Sequence, residues 1–159
     1  MQSEGKYPTQ FPVNPNEKFA IRFHDYDTDL QQSLHLDLTS VVGDAGLKQF
    51  KLKMQPTNMS DVNQLWTYDA TKNAIVSVAR PDLVLSQEIG QSATSRLGYA
   101  VARPFNGEAS QKMKFNGGQE SNLSFQSGLR CLDKSPSAVW FRSCTDDAVP
   151  GRSWFLSLY

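Results

Sequence analysis

Short stretches in which apolar and polar residues alternate run through the chain from Phe19 onwards. Alternation with a period of two places one set of side chains on each face of an extended strand, which is typical of half-buried β-strands. Turn-forming groups separate these stretches, and no segment sustains the spacing of a long amphipathic helix. The pattern predicts an all-β domain of about a dozen short strands. The predicted strands include 19–23, 34–38, 50–54, 75–78, 83–85, 99–101, 123–125, 139–141 and 155–158.

Landmarks recur in the same order along the chain, at intervals of about 45 residues. The first is a short apolar strand that ends in a small acceptor residue, at Asp37, Ser86 and Asp133. The second is a triplet related to Gln-x-Trp, at 64–66, 111–113 and 152–154, and another short strand follows it. Three such copies bury their apolar faces by closing around a common axis, which removes most exposed sheet edges. We therefore predict a β-trefoil with a threefold internal pseudo-repeat.

The domain boundaries follow from the same patterns. Residues 1–18 carry Pro8, Pro12 and Pro15 and show no apolar periodicity. They predict an extended arm that lies on the domain or is loose in solvent. Residues 19–159 then form a single trefoil domain with repeats 19–68, 69–115 and 116–159.

The triplet Gln64-Leu65-Trp66, preceded by Asn63, resembles the Gln-x-Trp repeat of ricin B-chain type lectins. Cys131-Leu132-Asp133, followed by Cys144 and Trp154, is similar to a further copy. The resemblance covers Phe19 to Tyr159; the first repeat matches well, the third in part and the second weakly. In that family the tryptophan of each triplet packs into the shared core. The resemblance thus implies three structural core residues: Trp66, Met113 and Trp154.

A sugar site needs a fixed carboxylate, an amide and an aromatic platform, because a pyranose presents hydroxyl pairs along one edge and C–H groups on one face. The resemblance implies Asp37 as the carboxylate of repeat one and Asn63 as the amide. It implies Gln64 as the support of Asp37. The platform position falls near Met54, whose thioether contacts a sugar face more weakly than a ring does.

The other two repeats match the sugar-binding pattern less well. Repeat three keeps a carboxylate at Asp133, with Trp140 and Arg142 placed to flank a pocket. It has Gly151-Arg152 in place of the amide and its brace, so Arg152 offers Asp133 an ion-pair partner. Repeat two has serines in place of the carboxylate and the amide, and we expect no site there. An aspartate at the end of a strand also caps backbone N–H groups, and this alternative stays open for Asp37 and Asp133.

Composition excludes several other classes of partner. Lysine plus arginine equals aspartate plus glutamate, 16 against 16, so the chain lacks the positive charge that nucleic-acid binding needs. No apolar stretch approaches the roughly 20 residues of a membrane-spanning helix, so we expect no membrane insertion. Cys131 and Cys144 permit a local disulfide, or they are two buried free thiols.

The sequence carries no recognisable catalytic or metal-binding motif. Nucleophile elbows, zinc-protease motifs and phosphate-binding glycine loops are all absent, so we expect a binding module and not an enzyme. His24 and His35 lack cysteine or histidine partners at ligand spacing, so we expect no metal site. No cofactor is implied.

These observations predict a lectin-like module that recognises terminal sugars on glycans or glycoproteins, with galactose-type sugars implied by the resemblance. Affinity for a single site should be on the order of millimolar to tens of micromolar. The expected location is secreted or at a cell surface, and further domains or a partner protein fit this role. The alternative is a trefoil with degenerate sugar sites that serves as a protein-interaction or targeting subunit, for example of a toxin. A third reading is a trefoil protease inhibitor of the soybean Kunitz type.

Overall fold

A computed structural model of the chain describes residues 11, 14, 16–25, 30–89, 97–116, 122–135, 138–145 and 154–159. Within these ranges there are twelve β-strands and no α-helix, so the prediction of an all-β chain is confirmed. Three short 3-10 turns lie at Ala45–Leu47, Val62–Gln64 and Ala109–Gln111. The strands are β1 (Phe19–Asp25), β2 (Leu30–Val41), β3 (Phe50–Pro56), β4 (Trp66–Asp69), β5 (Ala74–Ser77), β6 (Leu83–Gln87), β7 (Leu97–Pro104), β8 (Met113–Asn116), β9 (Asn122–Phe125), β10 (Arg130–Lys134), β11 (Val139–Ser143) and β12 (Trp154–Leu158).

Six of the strands close a ring around the core. Strand β1 pairs with β4 and β12, β4 pairs with β5, and β8 pairs with β9. The Met113 N–H donates to the Asn73 carbonyl at 2.8 Å and joins β8 to the end of β5. Strands β9 and β12 are also in contact. Closure of the strands into a ring reduces the number of strand edges that are left unpaired.

The other six strands form three hairpins, each of which pairs with a strand of the ring: β2 with β1, β6 with β5 and β10 with β9. The hairpins are β2–β3, β6–β7 and β10–β11, and all three are antiparallel. Strand β7 pairs with both β3 and β11, and β11 also contacts β3. Each hairpin therefore meets the other two, and their outer faces form one continuous surface.

Large side chains from the equivalent strands β4, β8 and β12 fill the core. Trp66, Met113 and Trp154 are buried and belong to one cluster of apolar residues. The indole Nε1 of Trp66 donates to the Leu34 carbonyl at 3.4 Å, and that of Trp154 donates to the Leu132 carbonyl at 3.0 Å. A buried indole needs a partner for its N–H, and both tryptophans find it on the first strand of their own hairpin.

The core extends further towards the N-terminus than the strand pattern predicts. Phe11 is 7% exposed and stacks on Tyr68, with ring centroids 4.1 Å apart. The segment assigned to an arm thus contributes a core residue. Pro8, Pro12 and Pro15 lie outside the described residues.

Candidate functional site

Two buried glutamines, Gln64 and Gln111, make the same hydrogen bonds in repeats one and two. The amide of Gln64 donates to the Pro56 carbonyl at 3.0 Å and accepts from the Asn58 N–H at 2.8 Å. The amide of Gln111 donates to the Pro104 carbonyl at 2.8 Å and accepts from the Asn106 N–H at 2.7 Å. Gln64 therefore braces the chain after β3 and not Asp37, which corrects the role implied by the resemblance.

Strand register identifies which residues of the three hairpins are equivalent. Leu34, Leu85 and Leu132 face Met54, Ala102 and Phe141 across their hairpins. Because the tryptophan and glutamine contacts agree with this alignment, the residues that follow the three leucines occupy one position: His35, Ser86 and Asp133. Asp37 lies two residues further along β2, so it is not the counterpart of Asp133.

Met54 lies on the inner face of its hairpin. It faces Leu34 in the register and packs against the core cluster. Because alternate residues of a strand point to opposite faces, a side chain that packs on the core cannot serve a site on the outer face. The register and packing of Met54 therefore argue against the predicted platform role.

Asp37 presents a prepositioned carboxylate on the outer face of the first hairpin. Its Oδ1 accepts the Thr39 N–H at 3.0 Å and the Thr39 hydroxyl, and its Oδ2 lies 3.7 Å from the Lys53 ammonium. The hydroxyl bond from Thr39, aided by Lys53, lowers the pKa of Asp37 from 3.8 to about 2. The lowered pKa keeps the Asp37 carboxylate ionised, and the bonds from Thr39 hold it in place. Its side chain is 15% exposed, so a ligand can reach it.

Asn63 is carried by a turn that packs against β2. The His35 Nε2 lies 3.1 Å from Asp61 Oδ2, and Asp61 Oδ1 accepts the Asn63 N–H at 3.0 Å. Asp61 thereby caps the 3-10 turn 62–64 and fixes it to the first hairpin. The result is a polar surface, made of His35, Asp37, Lys53, Asp61 and Asn63, which we name the repeat-one face.

In repeat two an internal network fills the equivalent position. Ser86 is buried, and its hydroxyl accepts from the Gln111 amide at 3.0 Å. Arg103 is 2% exposed, and its guanidinium donates to the Glu108 carboxylate at 2.8 Å and the Ser110 hydroxyl at 2.9 Å. The buried Arg103 guanidinium thus has protein partners at this position.

In repeat three the carboxylate is buried. Asp133 is 1% exposed; its Oδ1 accepts the Lys134 N–H at 2.8 Å, and its Oδ2 lies 3.8 Å from the Arg142 guanidinium. Cys131 and Cys144 form a disulfide beside it. The predicted ion-pair partner Arg152 lies outside the described residues. This degree of burial favours a structural role for the Asp133 carboxylate over a contact with a ligand.

Trp140 lies in register with Asp133 but contacts a neighbouring repeat. Its ring stacks on that of Tyr99, with centroids 4.3 Å apart and planes 16° from parallel.

Sequence reasoning missed Tyr99 because it lies in another repeat, and it missed the buried Arg103 because the arginine's partners are found only after the chain folds. His35 was considered only as a metal ligand. Its pairing with Asp61 spans 26 residues and leaves no local signal.

The described residues show no group of three or more side chains suited to a metal ion. In the same part of the chain, no helix has the length and apolar character that crossing a membrane would demand. A cavity of about 870 Å³ lies at the β4–β8 side of the ring, with Phe11, Tyr68 and Phe115 in its wall. It contains none of the predicted sugar-binding residues.

No protein-family model matches the chain, and no curated sequence matches it significantly. Solved structures do match. A mosquitocidal holotoxin has a TM-score of 0.63 and 19% identity over 92% of this chain and 18% of that one. A non-toxic homologue of type II RIPs from bitter gourd (Momordica charantia), in complex with α-methyl-D-galactoside, has a TM-score of 0.63 and 15% identity over 89% of this chain and 48% of that one.

The C-terminal half of an earthworm R-type lectin, in complex with GalNAc, also matches. Its TM-score is 0.57 with 13% identity, and the match covers 90% of this chain and 99% of that one. The chain spans less than half the length of the holotoxin and bitter-gourd chains, and nearly all of the earthworm domain. The chain thus shares its all-β fold with these solved structures.

Proposed function

We propose that the chain is a carbohydrate-binding β-trefoil module whose principal site is the repeat-one face. The observation that carries the proposal is the carboxylate of Asp37, which Thr39 and Lys53 hold ionised and in a fixed orientation on an accessible surface. A carboxylate accepts from two adjacent sugar hydroxyls at once, and charge-assisted hydrogen bonds are the strong ones.

The neighbours of Asp37 supply the complementary groups. The Lys53 ammonium, 42% exposed, donates to a sugar oxygen, and the Asn63 amide both donates and accepts. Gln64 and Met54 support the site without contacting the sugar. Gln64 braces the loop after β3, and Met54 packs on the core. This hairpin has no aromatic ring on its outer face among the described residues, so a single sugar binds weakly.

Galactose-type sugars are the proposed ligands. The bitter-gourd protein was solved with α-methyl-D-galactoside and the earthworm lectin with GalNAc, and both share the fold of this chain. Glycans or glycoproteins outside the cell are the proposed partners. The disulfide between Cys131 and Cys144 supports a secreted or cell-surface location, because such bonds persist in oxidising compartments.

A second candidate function is a targeting or protein-interaction subunit with degenerate sugar sites. The observation that favours it is the filling of the repeat-two position by Arg103 and Glu108, together with the burial of Asp133 in repeat three. The similarity to part of a mosquitocidal holotoxin is compatible with such a role.

A glycan array probed with the purified chain tests the proposal and separates the two candidates. We expect signal on galactose-terminated glycans that the Asp37→Ala variant loses. Asp69→Ala is the matched control, because the Asp69 carboxylate accepts the same two bonds from Thr71 but lies in the β4–β5 turn. No signal from the native chain, or signal that Asp37→Ala leaves intact, would favour the targeting role.

A further inference from the structure

The outer faces of the three hairpins carry a continuous row of side chains that crosses from repeat one to repeat three. Asp37 faces Lys51 in the register of β2 and β3, and Lys51 faces Val101 in that of β3 and β7. Tyr99, two residues before Val101, faces Trp140 in the register of β7 and β11. Because opposed residues of antiparallel strands point to the same side, all five lie on one face. Val101 is fully buried, so the accessible part of the row consists of Asp37, Lys51, Tyr99 and Trp140, and the contact between Lys51 and Tyr99 joins its two ends.

The far end of this row is an ordered aromatic stack. The rings of Tyr99 and Trp140 are nearly parallel at 4.3 Å, and the Lys51 ammonium lies 5.7 Å from the Tyr99 centroid. Both rings are half-buried, whereas Trp66 and Trp154 are fully buried. The next residue on each strand, Ala100 in β7 and Phe141 in β11, points into the core. The stack therefore lies on the solvent side of the sheet.

Aromatic rings that are half-buried on the solvent side are common at binding surfaces, and Trp140 has a polar neighbour at its edge. Its Nε1 lies 3.5 Å from the Ser135 hydroxyl. An apolar ring with polar groups around it suits the C–H face of a pyranose, whose rim carries hydroxyls. The described part of the repeat-one face lacks such a platform, and the neighbouring repeats provide one.

We propose that the Tyr99–Trp140 stack is the aromatic platform for a glycan chain whose terminal sugar is held by Asp37. This inference rests on the proposed function and specifies its ligand as an oligosaccharide. From β2 to β11 the row crosses three strand spacings, or about 14 Å. That span exceeds one sugar ring, so a monosaccharide reaches only one end of the row and a glycan of two or more sugars reaches both.

Titration of the native chain with methyl α-D-galactoside and with galactose-terminated di- and tetrasaccharides tests the inference. We expect the longer glycans to bind about tenfold more tightly, which corresponds to about 1.4 kcal/mol. Tryptophan fluorescence gives a readout that needs no variant, because Trp140 is the one tryptophan of the three that is not fully buried. It should change with the longer glycans and not with the monosaccharide.

Variants then assign the effect to the stack. Trp140→Ala should reduce the affinity for longer glycans to that for the monosaccharide and leave the monosaccharide affinity unchanged. Phe105→Ala is the matched control, since Phe105 is also a half-buried aromatic residue, but it contacts Lys72 of the β4–β5 turn and not the row. Circular dichroism verifies that each variant folds.

The outcomes separate the two proposals. Equal affinity for short and long glycans, with no fluorescence change, overturns the platform and leaves the proposed function standing. The same holds if Trp140→Ala binds longer glycans as the native chain does. If no glycan of any length binds, the proposed function itself fails, and a protein ligand for the stack becomes the better explanation.

Discussion

His35 and Asp133 occupy the same position in their hairpins, although one is a base and the other an acid. Each follows the leucine whose carbonyl accepts the indole N–H of its repeat's tryptophan. His35 pairs with Asp61 at the protein surface, whereas Asp133 is buried near Arg142. The two repeats thus use equivalent positions differently, and Asp37, with a side chain that is 15% exposed, lies two residues beyond His35 on the same strand.

This difference predicts that substitutions of Asp133 and Asp37 differ in their effect on glycan binding. Asp133→Ala should lower the free energy of unfolding by about 1–3 kcal/mol, because a buried acceptor of the Lys134 N–H is lost. It should leave glycan binding unchanged. Asp37→Ala should abolish glycan binding and cost about 1–2 kcal/mol of stability at neutral pH, because the lowered pKa of Asp37 means that its ionised form stabilises the fold. Urea denaturation and glycan titration of both variants provide the check, and loss of binding in a folded Asp133→Ala variant would contradict the assignment.

The Thr39 hydroxyl sets the acidity of Asp37. Thr39→Val should raise the pKa of Asp37 from about 2 towards 3.8, because the largest stabilising contact of the carboxylate disappears. Carbon-detected NMR titration of the carboxyl group measures it directly. Thr71→Val is the parallel control: it should raise the pKa of Asp69 and not that of Asp37.

The substitution Thr39→Val should also change how the stability of the fold depends on pH. Because the pKa of Asp37 is lower in the folded chain than in the unfolded one, its ionisation stabilises the fold above pH 3.8, and this contribution disappears as the pH falls through about 2. The native chain should therefore be more stable than Thr39→Val at neutral pH, and the gap should narrow between pH 4 and pH 2. A gap independent of pH would show that Thr39 acts through packing alone.

The ion pair between Arg103 and Glu108 should contribute more to stability than a surface pair with the same N–O distance of 2.8 Å. Glu108→Ala leaves the buried Arg103 guanidinium without its carboxylate and should cost about 2–4 kcal/mol. Asp82→Ala breaks the 2.8 Å pair between Asp82 and the exposed Arg80, and should cost less than about 1 kcal/mol. Denaturant unfolding compares them, and equal costs would contradict the view that the buried Arg103 guanidinium depends on the carboxylate of Glu108, whose own side chain is 52% exposed.

The disulfide should stabilise repeat three. Its cysteines are 13 residues apart, so replacing both with serine should lower the free energy of unfolding by about 3 kcal/mol. Mass measurement with and without reductant establishes the bond, and thermal unfolding of the variant measures its worth. Glycan binding at the repeat-one face should persist in the folded double variant.

Much of the fold was accessible from the sequence, because burial and strand alternation leave a direct record. The short strands follow from apolar periodicity, the order of the landmarks follows from the internal repeat, and the burial of Trp66 was implied by the resemblance to the lectin family. The arm was less predictable, since Phe11 sits among prolines with no neighbours to form a pattern. Its place in the core depends on Tyr68, which is distant along the chain.

The candidate site was harder to predict for a reason that lies in the geometry of strands. A shift of one residue moves every side chain to the other face, but a shift of two keeps the faces and the Leu34–Leu36 pattern intact. The sequence therefore aligned Asp37 with Asp133, and only the register with β3 shows that His35 is the counterpart. The Tyr99–Trp140 stack joins two repeats, and a repeat-by-repeat comparison has no means of finding it.

Backbone amide NMR during titration with a galactose-terminated tetrasaccharide tests the central claim most directly, because it locates the binding surface without substitution. We expect shift changes at Asp37 and Asn63 that extend through Lys51 to Tyr99 and Trp140, with residues around Ser86 and Arg103 unaffected. Changes confined to repeat two or to the cavity near Phe11, or no changes at millimolar glycan, would contradict a carbohydrate site on the outer face of the hairpins.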